Sequence, residues 1–448
     1  DGNGDGSGHV RIYQNENGTW TQIGDDIDGE AADDYSGISV SLSDDGSVVA
    51  IGAHLNDGNG DGSGHVRIYQ YDNDNWEQIG DDIDGEAGDD NSGYSVSLSS
   101  DGSIVAIGAR YNDGNGNLSG HVRIYQNDNG TWNQIGDDID GEAGGDQSGY
   151  SVSLSADGSV VAIGAYRNGV NSGHVRIYQN DNGTWTQIGD DLDGEAEEDS
   201  SGYSVSLSSD GNVIAIGAIG NDGNGDLSGH VRIYQFDSAS NSWYQLGQDI
   251  DGEAARDQSG FSVNLSSDGS VVAIGALTND DNGSNSGHVR IYQNVDGEWT
   301  QIGEDIDGEA GVDLSGYAVS LSSNGSVVAI GAPYNDGNGD ISGHVRIYQL
   351  DRSTTIDNQG NWSYTPEENF NGSDSFNVII TDDDGNTQTQ EITVDVNSIN
   401  DDATIAGDTD GTGDEDAGAI TWQLTVTDDI DGLTNNDPFA VTNDGTNG

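Results

Sequence analysis

Acidic residues recur at a fixed spacing in six short segments of the chain. In the first segment, carboxylates fall at relative positions 1, 3, 5 and 9 around a glycine. Alternate carboxylates flanking a glycine turn can converge hard oxygen ligands on one point, a geometry that Ca²⁺ accepts and Mg²⁺ tolerates poorly. These segments therefore predict calcium sites. The six sets are Asp26, Asp28, Glu30 and Asp34; Asp82, Asp84, Glu86 and Asp90; Asp138, Asp140, Glu142 and Asp146; Asp191, Asp193, Glu195 and Asp199; Asp249, Asp251, Glu253 and Asp257; and Asp305, Asp307, Glu309 and Asp313.

A second acidic motif reads D-x-N-x-D or a close variant in a glycine-rich loop. Carboxylate and amide oxygens in such a loop also suit Ca²⁺. Two copies, at 166–173 and 280–287, are degraded, so metal is expected only in the five clear copies. The clear copies are Asp1, Asn3 and Asp5; Asp57, Asn59 and Asp61; Asp113, Asn115 and Asn117; Asp222, Asn224 and Asp226; and Asp336, Asn338 and Asp340.

Both motifs also have explanations that need no metal. The acids of the first motif can solvate a loop, accept backbone N–H groups in Asx turns, or pair with a recurrent arginine, and the second motif can be a long β-turn. However, all four acids of the first motif hold in six copies while the residues between them vary. This constancy favours a geometric task for each acid, with Glu30 and its equivalents as the exception that could serve the arginine.

Four apolar segments repeat between these motifs at intervals close to 56 residues. We name them strands A (SVSLS), B (VVAIGA), C (GHVRIYQ) and D (WTQIG), because each is short, β-branched or aromatic, and bounded by turn residues. Four-stranded units in such number are typical of a β-propeller. The sequence predicts an all-β fold with a propeller at 1–349, of seven blades or alternatively six, followed by a small β-sandwich-like region.

Strand direction alternates within each unit, so the B–C and D–A connections lie on one face of the propeller. Both acidic motifs would then share that face, and bound cations would be needed to offset their repulsion. We call it the acidic face. A ligand site should break the repeat, and the most divergent unit is the fourth, with Tyr166, Arg167 and Val170 in this connection. The other cations outside the repeat pattern are Arg110, Arg256 and Arg352.

Strand C carries a His-x-Arg-x-Tyr stripe, as in His65, Arg67 and Tyr69. The seven histidines lie on different blades, so no two can converge on one ion, and we interpret them as packing residues. An arginine between sheets needs a carboxylate or carbonyl partner, and we hypothesise a bridge between blades to Glu30 or an aspartate in each repeat. The strand D tryptophans are interpreted as packing residues, with sugar stacking as the alternative.

The run at 201–235, SGYSVSLSSDGNVIAIGAIGNDGNGDLSGHVRIYQ, resembles the FG-GAP repeats that form the integrin α-subunit propeller, and the similarity covers 1–349. In that family the calcium loop lies between strands A and B. Here that turn is only SDDG or SSDG, which is too short for a full cage. The family's metal ligands are therefore not carried over to this chain.

The pattern changes after residue 349. Residues 350–402 resemble part of a cadherin-like domain, and 403–448 resemble the start of a VCBS repeat, both modules of large bacterial surface proteins. The occurrence of both resemblances after the propeller repeats implies an adhesin. This sequence is expected to be a segment of that longer protein. A further calcium linker is predicted at Asp382, Asp383, Asp384, Asn386, Asn400, Asp401 and Asp402.

Composition narrows the function classes. The formal net charge of −70 argues against binding nucleic acid or an anionic membrane, and no apolar run is long enough to insert in a membrane. There is no Cys or Lys, and every carboxylate belongs to a repeated set, so we expect no enzyme. The sequence predicts a secreted, cell-surface, calcium-dependent adhesion module that binds a cell-surface protein, a glycan or copies of itself. The alternative is a structural subunit of an extracellular filament or appendage.

Overall fold

The computed structural model describes residues 2–16 and 18–350 and, in the rest of the chain, seven strands. The chain divides into two compact units, Asp1–Tyr348 and Gln349–Gly448. The first unit begins with the C and D segments of a repeat. There β1 pairs with β4, and β2 with β3. These strands are β1 (His9–Val10), β2 (Tyr13–Glu16), β3 (Thr19–Gln22) and β4 (Ile27–Asp28).

Five complete blades follow, each a sheet in the order A-B-C-D with a two-residue fifth strand that pairs back onto strand C. Blade one has β5 (Ser39–Leu42), β6 (Val48–Ala53), β7 (His65–Asp72), β8 (Asn75–Gln78) and β9 (Ile83–Asp84). Blade two has β10 (Ser92–Leu98), β11 (Ile104–Ala109), β12 (His121–Asp128), β13 (Thr131–Gln134) and β14 (Ile139–Asp140). Blade three has β15 (Ser151–Leu154), β16 (Val160–Ala165), the helical segment α1 (Asn168–Asn171), β17 (His174–Asp181), β18 (Thr184–Gln187) and β19 (Leu192–Asp193).

The remaining blades repeat this plan. Blade four has β20 (Ser201–Leu207), β21 (Val213–Ala218), β22 (His230–Asp237), β23 (Ser242–Gln245) and β24 (Ile250–Asp251). Blade five has β25 (Ser259–Leu265), β26 (Val271–Ala276), β27 (His288–Val295), β28 (Glu298–Gln301) and β29 (Ile306–Asp307). Blade six has three strands, β30 (Ala318–Leu321), β31 (Val327–Ala332) and β32 (His344–Gln349). The propeller therefore has six blades, the smaller of the two counts that the sequence allowed.

The core lies between successive blades. Strand B is buried on both faces in blade one, because it occupies the interior of a sheet that is covered on each side. On strand C, Val66 and Ile68 pack against Val96 and Leu98 of blade two. The apolar half of strand C thus seals one blade to the next, while its polar half faces the preceding blade.

The strand D tryptophans also join neighbouring blades. The indole Nε1–H of Trp132 donates to the carbonyl oxygen of Ile79 in blade one at 2.8 Å. This contact supports the packing interpretation for five of the tryptophans, whereas Trp20 is exposed. The same bond joins Trp76 to Ile23, Trp185 to Ile135, Trp243 to Ile188, and Trp299 to Leu246.

The second unit is also built of strands, in agreement with the predicted β region. One sheet has the order β33-β34-β38 and the other β37-β36-β35-β39. Strands from both sides of residue 402 share each sheet, and the boundary between 402 and 403 stays a prediction. The strands are β33 (Thr354–Ile356), β34 (Asn361–Tyr364), β35 (Gly372–Thr381), β36 (Thr387–Asn397), β37 (Asp410–Asp414), β38 (Ile420–Gln423) and β39 (Phe439–Asn443).

Candidate cation- and ligand-binding face

The first acid of each D–A motif is held by a glutamine of strand D. Gln78 donates from Nε2 to Asp82 Oδ1 at 2.7 Å, which leaves Oδ2 directed toward His65 at 3.7 Å from its Nδ1. The same glutamine bond occurs at Asp26, Asp138, Asp191, Asp249 and Asp305. One carboxylate oxygen of each first acid therefore already has a protein donor.

The second acid of the motif lies on the short fifth strand of the blade. Asp84 is the register partner of His65, and its main-chain carbonyl oxygen accepts a bond from Arg123 Nη2 of blade two at 2.7 Å. Burial raises the pKa of the Asp84 carboxyl, and the charge of Arg123, among others, lowers it by a smaller amount. The equivalents are Asp28, Asp140, Asp193, Asp251 and Asp307.

The fourth acid is buried and ties the two acidic connections together. Asp90 Oδ2 accepts the backbone N–H of Ala87 at 3.0 Å and the side-chain amide of Asn112, in the next B–C loop, at 3.1 Å. Asp34, Asp146, Asp199, Asp257 and Asp313 make the same two bonds. Sequence reasoning missed this asparagine, although it recurs in all six B–C loops and directly precedes a clear D-x-N-x-D motif in four of them.

The B–C loops are closed by their own acids and amides. Asp113 Oδ1 accepts the backbone N–H of Leu118 at 2.7 Å, and Asn115 donates to the carbonyl oxygens of Gly141 and Glu142 at 2.8 and 3.0 Å. Asp57, Asn59, Asp222, Asn224 and Asp336 make corresponding bonds. The loops and D–A connections thus meet on one face, and calcium in either motif stays a prediction. The predicted linker ligands from Asp382 to Asp402, and Asp1, lie outside the described residues.

The third acid of each motif meets the strand C histidine of the next blade. His121 Nδ1 lies 3.8 Å from Glu86 Oε2 and 3.8 Å from Asp138 Oδ2. One ligand atom from each of the three residues falls within 4.8 Å of the others. The same trio forms from Glu30, His65 and Asp82; Glu142, His174 and Asp191; Glu195, His230 and Asp249; and Glu253, His288 and Asp305.

The trios qualify the interpretation of the histidines. Each trio contains one histidine, which faces two carboxylates from different repeats. Burial, and then the charge of Arg123, lower the pKa of His121 to about 4. The imidazole is therefore neutral near pH 7 and has a lone pair for a cation. The sequence did not indicate this, because the glutamate and histidine lie in neighbouring blades.

A row of aromatic rings lies around the centre of the acidic face. Each ring follows the Ser-Gly pair that opens strand A, and the A strands of neighbouring blades contact one another. Successive centroids from Tyr94 through Tyr150, Tyr203 and Phe261 to Tyr317 are 5.0, 4.8, 5.0 and 5.1 Å apart. The centre of this face is therefore an aromatic surface inside a rim of carboxylates.

Blades one to three depart from the repeat directly above this row. Arg110 stacks on Tyr94 with its guanidinium carbon 3.6 Å from the ring centroid. Tyr166 lies 4.3 Å from Tyr150, and His54 lies 5.6 Å from Tyr94. A cleft of about 650 Å³ opens beside His54, Arg110 and Asp113 among others. The corresponding residues of blades four to six are Ile219, Leu277 and Pro333.

One of the other predicted departures contacts the row through Tyr166, and the rest are exposed or lie outside the described residues. Arg167 stacks over Tyr166 at 5.3 Å, and Val170 is exposed. Arg256 is exposed and pairs with Asp226 at 3.7 Å. Arg352 lies outside the described residues.

Comparison with known proteins gives one family match. Residues 317–395 match the bacterial Ig domain family Big_9, a range that begins in blade six and ends in β36. No curated protein sequence matches the chain. The FG-GAP, cadherin-like and VCBS resemblances therefore stay predictions, whereas a bacterial Ig match toward the carboxyl end is a finding.

Several solved structures are similar to this chain at low sequence identity. A protein of Bacteroides uniformis named as a 6-phosphogluconolactonase is 13% identical with a TM-score of 0.53, over 76% of this chain and 87% of its own. Sqt1 of Chaetomium thermophilum, bound to the N-terminus of ribosomal protein L10, is 16% identical with a TM-score of 0.48, over 77% and 79%. The Dos1 propeller is 14% identical with a TM-score of 0.40, over 69% of each chain.

The first of these structures corrects the expectation that the chain is not an enzyme. That expectation was drawn from the absence of Cys and Lys and from the repetition of the carboxylates. Since a protein of this fold carries the name of a lactonase, the expectation of no enzyme does not stand for this fold. At 13% identity the similarity shows the fold alone and assigns no activity to this chain.

Proposed function

We propose that the chain is a binding module of a large secreted bacterial surface protein. In this proposal the acidic face contacts a glycan or protein on another cell surface, and Ca²⁺ in the acidic loops stabilises that face. The match to a bacterial Ig domain supports placement on the cell surface. Among the described residues, no helix has the length and apolarity to cross a membrane.

The observation that carries the proposal is the local break in the repeat. His54, Arg110 and Tyr166 stand over the aromatic row in blades one to three, where the other three blades have aliphatic side chains or proline. A site for a single ligand requires such asymmetry, whereas a filament of stacked propellers would use the repeated surface. The break therefore favours recognition of a partner.

The chemistry of the centre suits a sugar or a polar protein segment. Aromatic faces can pack against the C–H face of a sugar ring, and the guanidinium of Arg110 can bond hydroxyls or carbonyls. Asp89 and Asp113 in the cleft add acceptors. A concave site that combines apolar and convergent polar groups is the usual form of a ligand pocket.

The charge of the same face supports the calcium part of the proposal. The chain has 81 acidic and 11 basic residues, and both acidic motifs converge there. Protein donors occupy one oxygen of Asp82 and one of Asp113, so each carboxylate keeps a further oxygen for an ion. Divalent cations would offset the repulsion that so many carboxylates create.

A binding assay with a matched variant pair tests the proposal. The purified chain in millimolar Ca²⁺ is applied to a glycan array and to intact cells. Arg110→Ala should weaken binding about tenfold or more, because it removes a central anchor. Arg256→Ala removes the same charge from an exposed loop and should bind normally. No binding by the parent chain, or equal losses in both variants, would refute the proposal, and polymerisation without binding would favour the filament alternative.

A further inference from the structure

Blade five differs from the other blades in its B–C loop. The residue two positions after the loop asparagine is Gly58, Gly114, Gly223 or Gly337 in four blades, but Asp281 in blade five. The loop conformation is kept, because Asp281 N–H donates to Asn279 Oδ1 at 2.9 Å as Gly58 N–H does to Asn56 Oδ1 at 2.8 Å. The substitution therefore adds a carboxylate without changing the loop.

This carboxylate joins the histidine trio of its blade. Ligand atoms of Glu253, Asp281, His288 and Asp305 all lie within 4.8 Å of one another, whereas the corresponding groups in blades one to four have three members. Glu253 divides its two oxygens, with Oε1 3.7 Å from Arg290 Nη1 and Oε2 3.8 Å from His288 Nδ1. One oxygen of this glutamate thus faces the centre of the group.

His288 is the second, independent observation. Its side chain has no exposed surface, and neither ring nitrogen has a hydrogen-bond partner. Nδ1 lies 3.8 Å from Glu253 Oε2 and 4.0 Å from Asp305 Oδ2, which is too long for hydrogen bonds. Two ligand atoms of a tetrahedral ion with bonds of about 2.0–2.2 Å are separated by about 3.3–3.6 Å. Small side-chain shifts would bring all the ligands to an ion.

We propose that blade five holds a divalent ion of the Zn²⁺ class through His288 Nδ1 and the carboxylates of Glu253, Asp281 and Asp305. An imidazole ligand favours such an ion over Ca²⁺, which takes oxygen ligands. Glu253 and Asp281 are exposed and Asp305 is partly exposed, so the ion can enter from solvent. This site goes beyond the calcium proposed for the acidic loops, since its metal class and its histidine differ.

The test measures Zn²⁺ binding to the full chain in excess Ca²⁺, by calorimetry and by the visible absorption of Co²⁺ as a substitute ion. The parent chain should bind one equivalent of Zn²⁺ more tightly than any further equivalents of Zn²⁺. Asp281→Gly introduces the residue that four other blades have at this position, so it should fold, and it should weaken that equivalent at least about tenfold. The absence of a tight equivalent, or its persistence in Asp281→Gly, would overturn the proposal.

A gain-of-site variant provides the converse test. Gly58→Asp places a third carboxylate, and so a fourth ligand, beside Glu30, His65 and Asp82 and should create a second tight equivalent. A folded Gly58→Asp chain that gains no equivalent would overturn ligation by the added carboxylate. Because Glu253, Asp305, Glu30 and Asp82 also belong to the predicted calcium motifs, each titration is repeated without Ca²⁺. The absence of the tight equivalent in both buffers overturns the zinc site, whereas its absence only in excess Ca²⁺ would show that calcium takes these ligands.

Discussion

The guanidinium of Arg67 donates from Nη2 to the main-chain carbonyl oxygen of Asp28 at 2.8 Å. Its Nη1 lies 3.8 Å from Glu30 Oε1, so one buried side chain in blade one holds two residues of the preceding connection. The hypothesis of an arginine bridge between repeats is confirmed for this pair. The shorter contact is to the carbonyl, and the exposed Glu30 carboxylate adds a screened attraction.

Replacement of Arg67 by lysine should destabilise the propeller by about 1–3 kcal/mol, because an ammonium cannot span the carbonyl and the carboxylate as the planar guanidinium does. Arg346→Lys is the matched control: this arginine makes the same bond to Asp307 but is more exposed, at 23% against 7% for Arg67. Arg346→Lys should therefore lower the free energy of unfolding, measured in urea, by less than Arg67→Lys does. Equal losses would show that burial does not set the strength of the bridge.

Replacement of Asp90 by alanine should also destabilise by about 1–3 kcal/mol, since it leaves the Ala87 N–H and the Asn112 amide without their acceptor. The exposed neighbour Asp81 serves as the control for lost charge. Urea unfolding is measured in Ca²⁺ and in EDTA. A loss seen in both conditions supports the hydrogen-bonding role, whereas a loss confined to Ca²⁺ would make Asp90 a calcium ligand.

Much of the propeller was predictable because its strands repeat. Strands A to D appear in the sequence as apolar segments bounded by turn residues, and strand direction alone placed both acidic motifs on one face. The two-residue strand Ile83–Asp84 was not predicted, since two residues are too few to show a period. Its pairing with β7 fixes Asp84 beside His65, which the sequence assigned only to a loop.

The candidate site was predictable only in part. The recurrence of the four acids was visible, and the glutamine that holds the first acid lies only four residues before it. The contacts to a histidine, an arginine and an asparagine depend on packing between blades. Glu86 and His121 are separated along the chain and meet only when two sheets pack. The stack of Arg110 on Tyr94 likewise joins strand A to the following B–C loop.

Calcium removal should lower the melting temperature substantially. A site with Ca²⁺ at a hundred times its dissociation constant stabilises the folded state by about 2.7 kcal/mol, and several sites would add. The chain is melted in Ca²⁺, in EDTA, and in EDTA with excess Mg²⁺ as the control for general charge screening. An unchanged melting temperature in EDTA would contradict calcium binding. If excess Mg²⁺ restored the melting temperature fully, the effect of Ca²⁺ would be general charge screening and not binding at specific sites.

The A–B turn should give a local pH dependence. Asp45 Oδ1 accepts hydrogen bonds from Ser47 Oγ, Ser47 N and Ser43 Oγ, which lower the pKa of its carboxyl below 3.8. A pKa lowered by folding contributes stability above the unfolded-state value and loses it as the pH falls through the folded value.

The variant Asp45→Asn keeps the Oδ1 acceptor without the charge, as Asn324 does in blade six. Its free energy of unfolding should therefore fall less steeply than that of the parent between about pH 5 and pH 3. Urea unfolding in EDTA at each pH measures the difference. Parallel curves for the two chains would show that the turn does not hold the carboxylate in its charged form.

The glycine of strand B should tolerate no side chain where a blade follows it. A Cβ at Gly108 would lie 2.1 Å from the carbonyl oxygen of Gly149 in blade three, and that carbonyl is fixed by a 2.8 Å bond from Ser95 Oγ. Gly108→Ala should force the two blades apart and cost about 3 kcal/mol of unfolding free energy.

The equivalent Gly331 in blade six has no described atom closer than 3.7 Å to such a Cβ. Gly331→Ala should therefore stay within about 0.5 kcal/mol of the parent in urea unfolding. Equal stability of Gly108→Ala and Gly331→Ala would contradict this prediction, because it would mean that neighbouring blades separate at little cost. The close approach of the two backbones would then not explain why every copy of strand B has a glycine at this position.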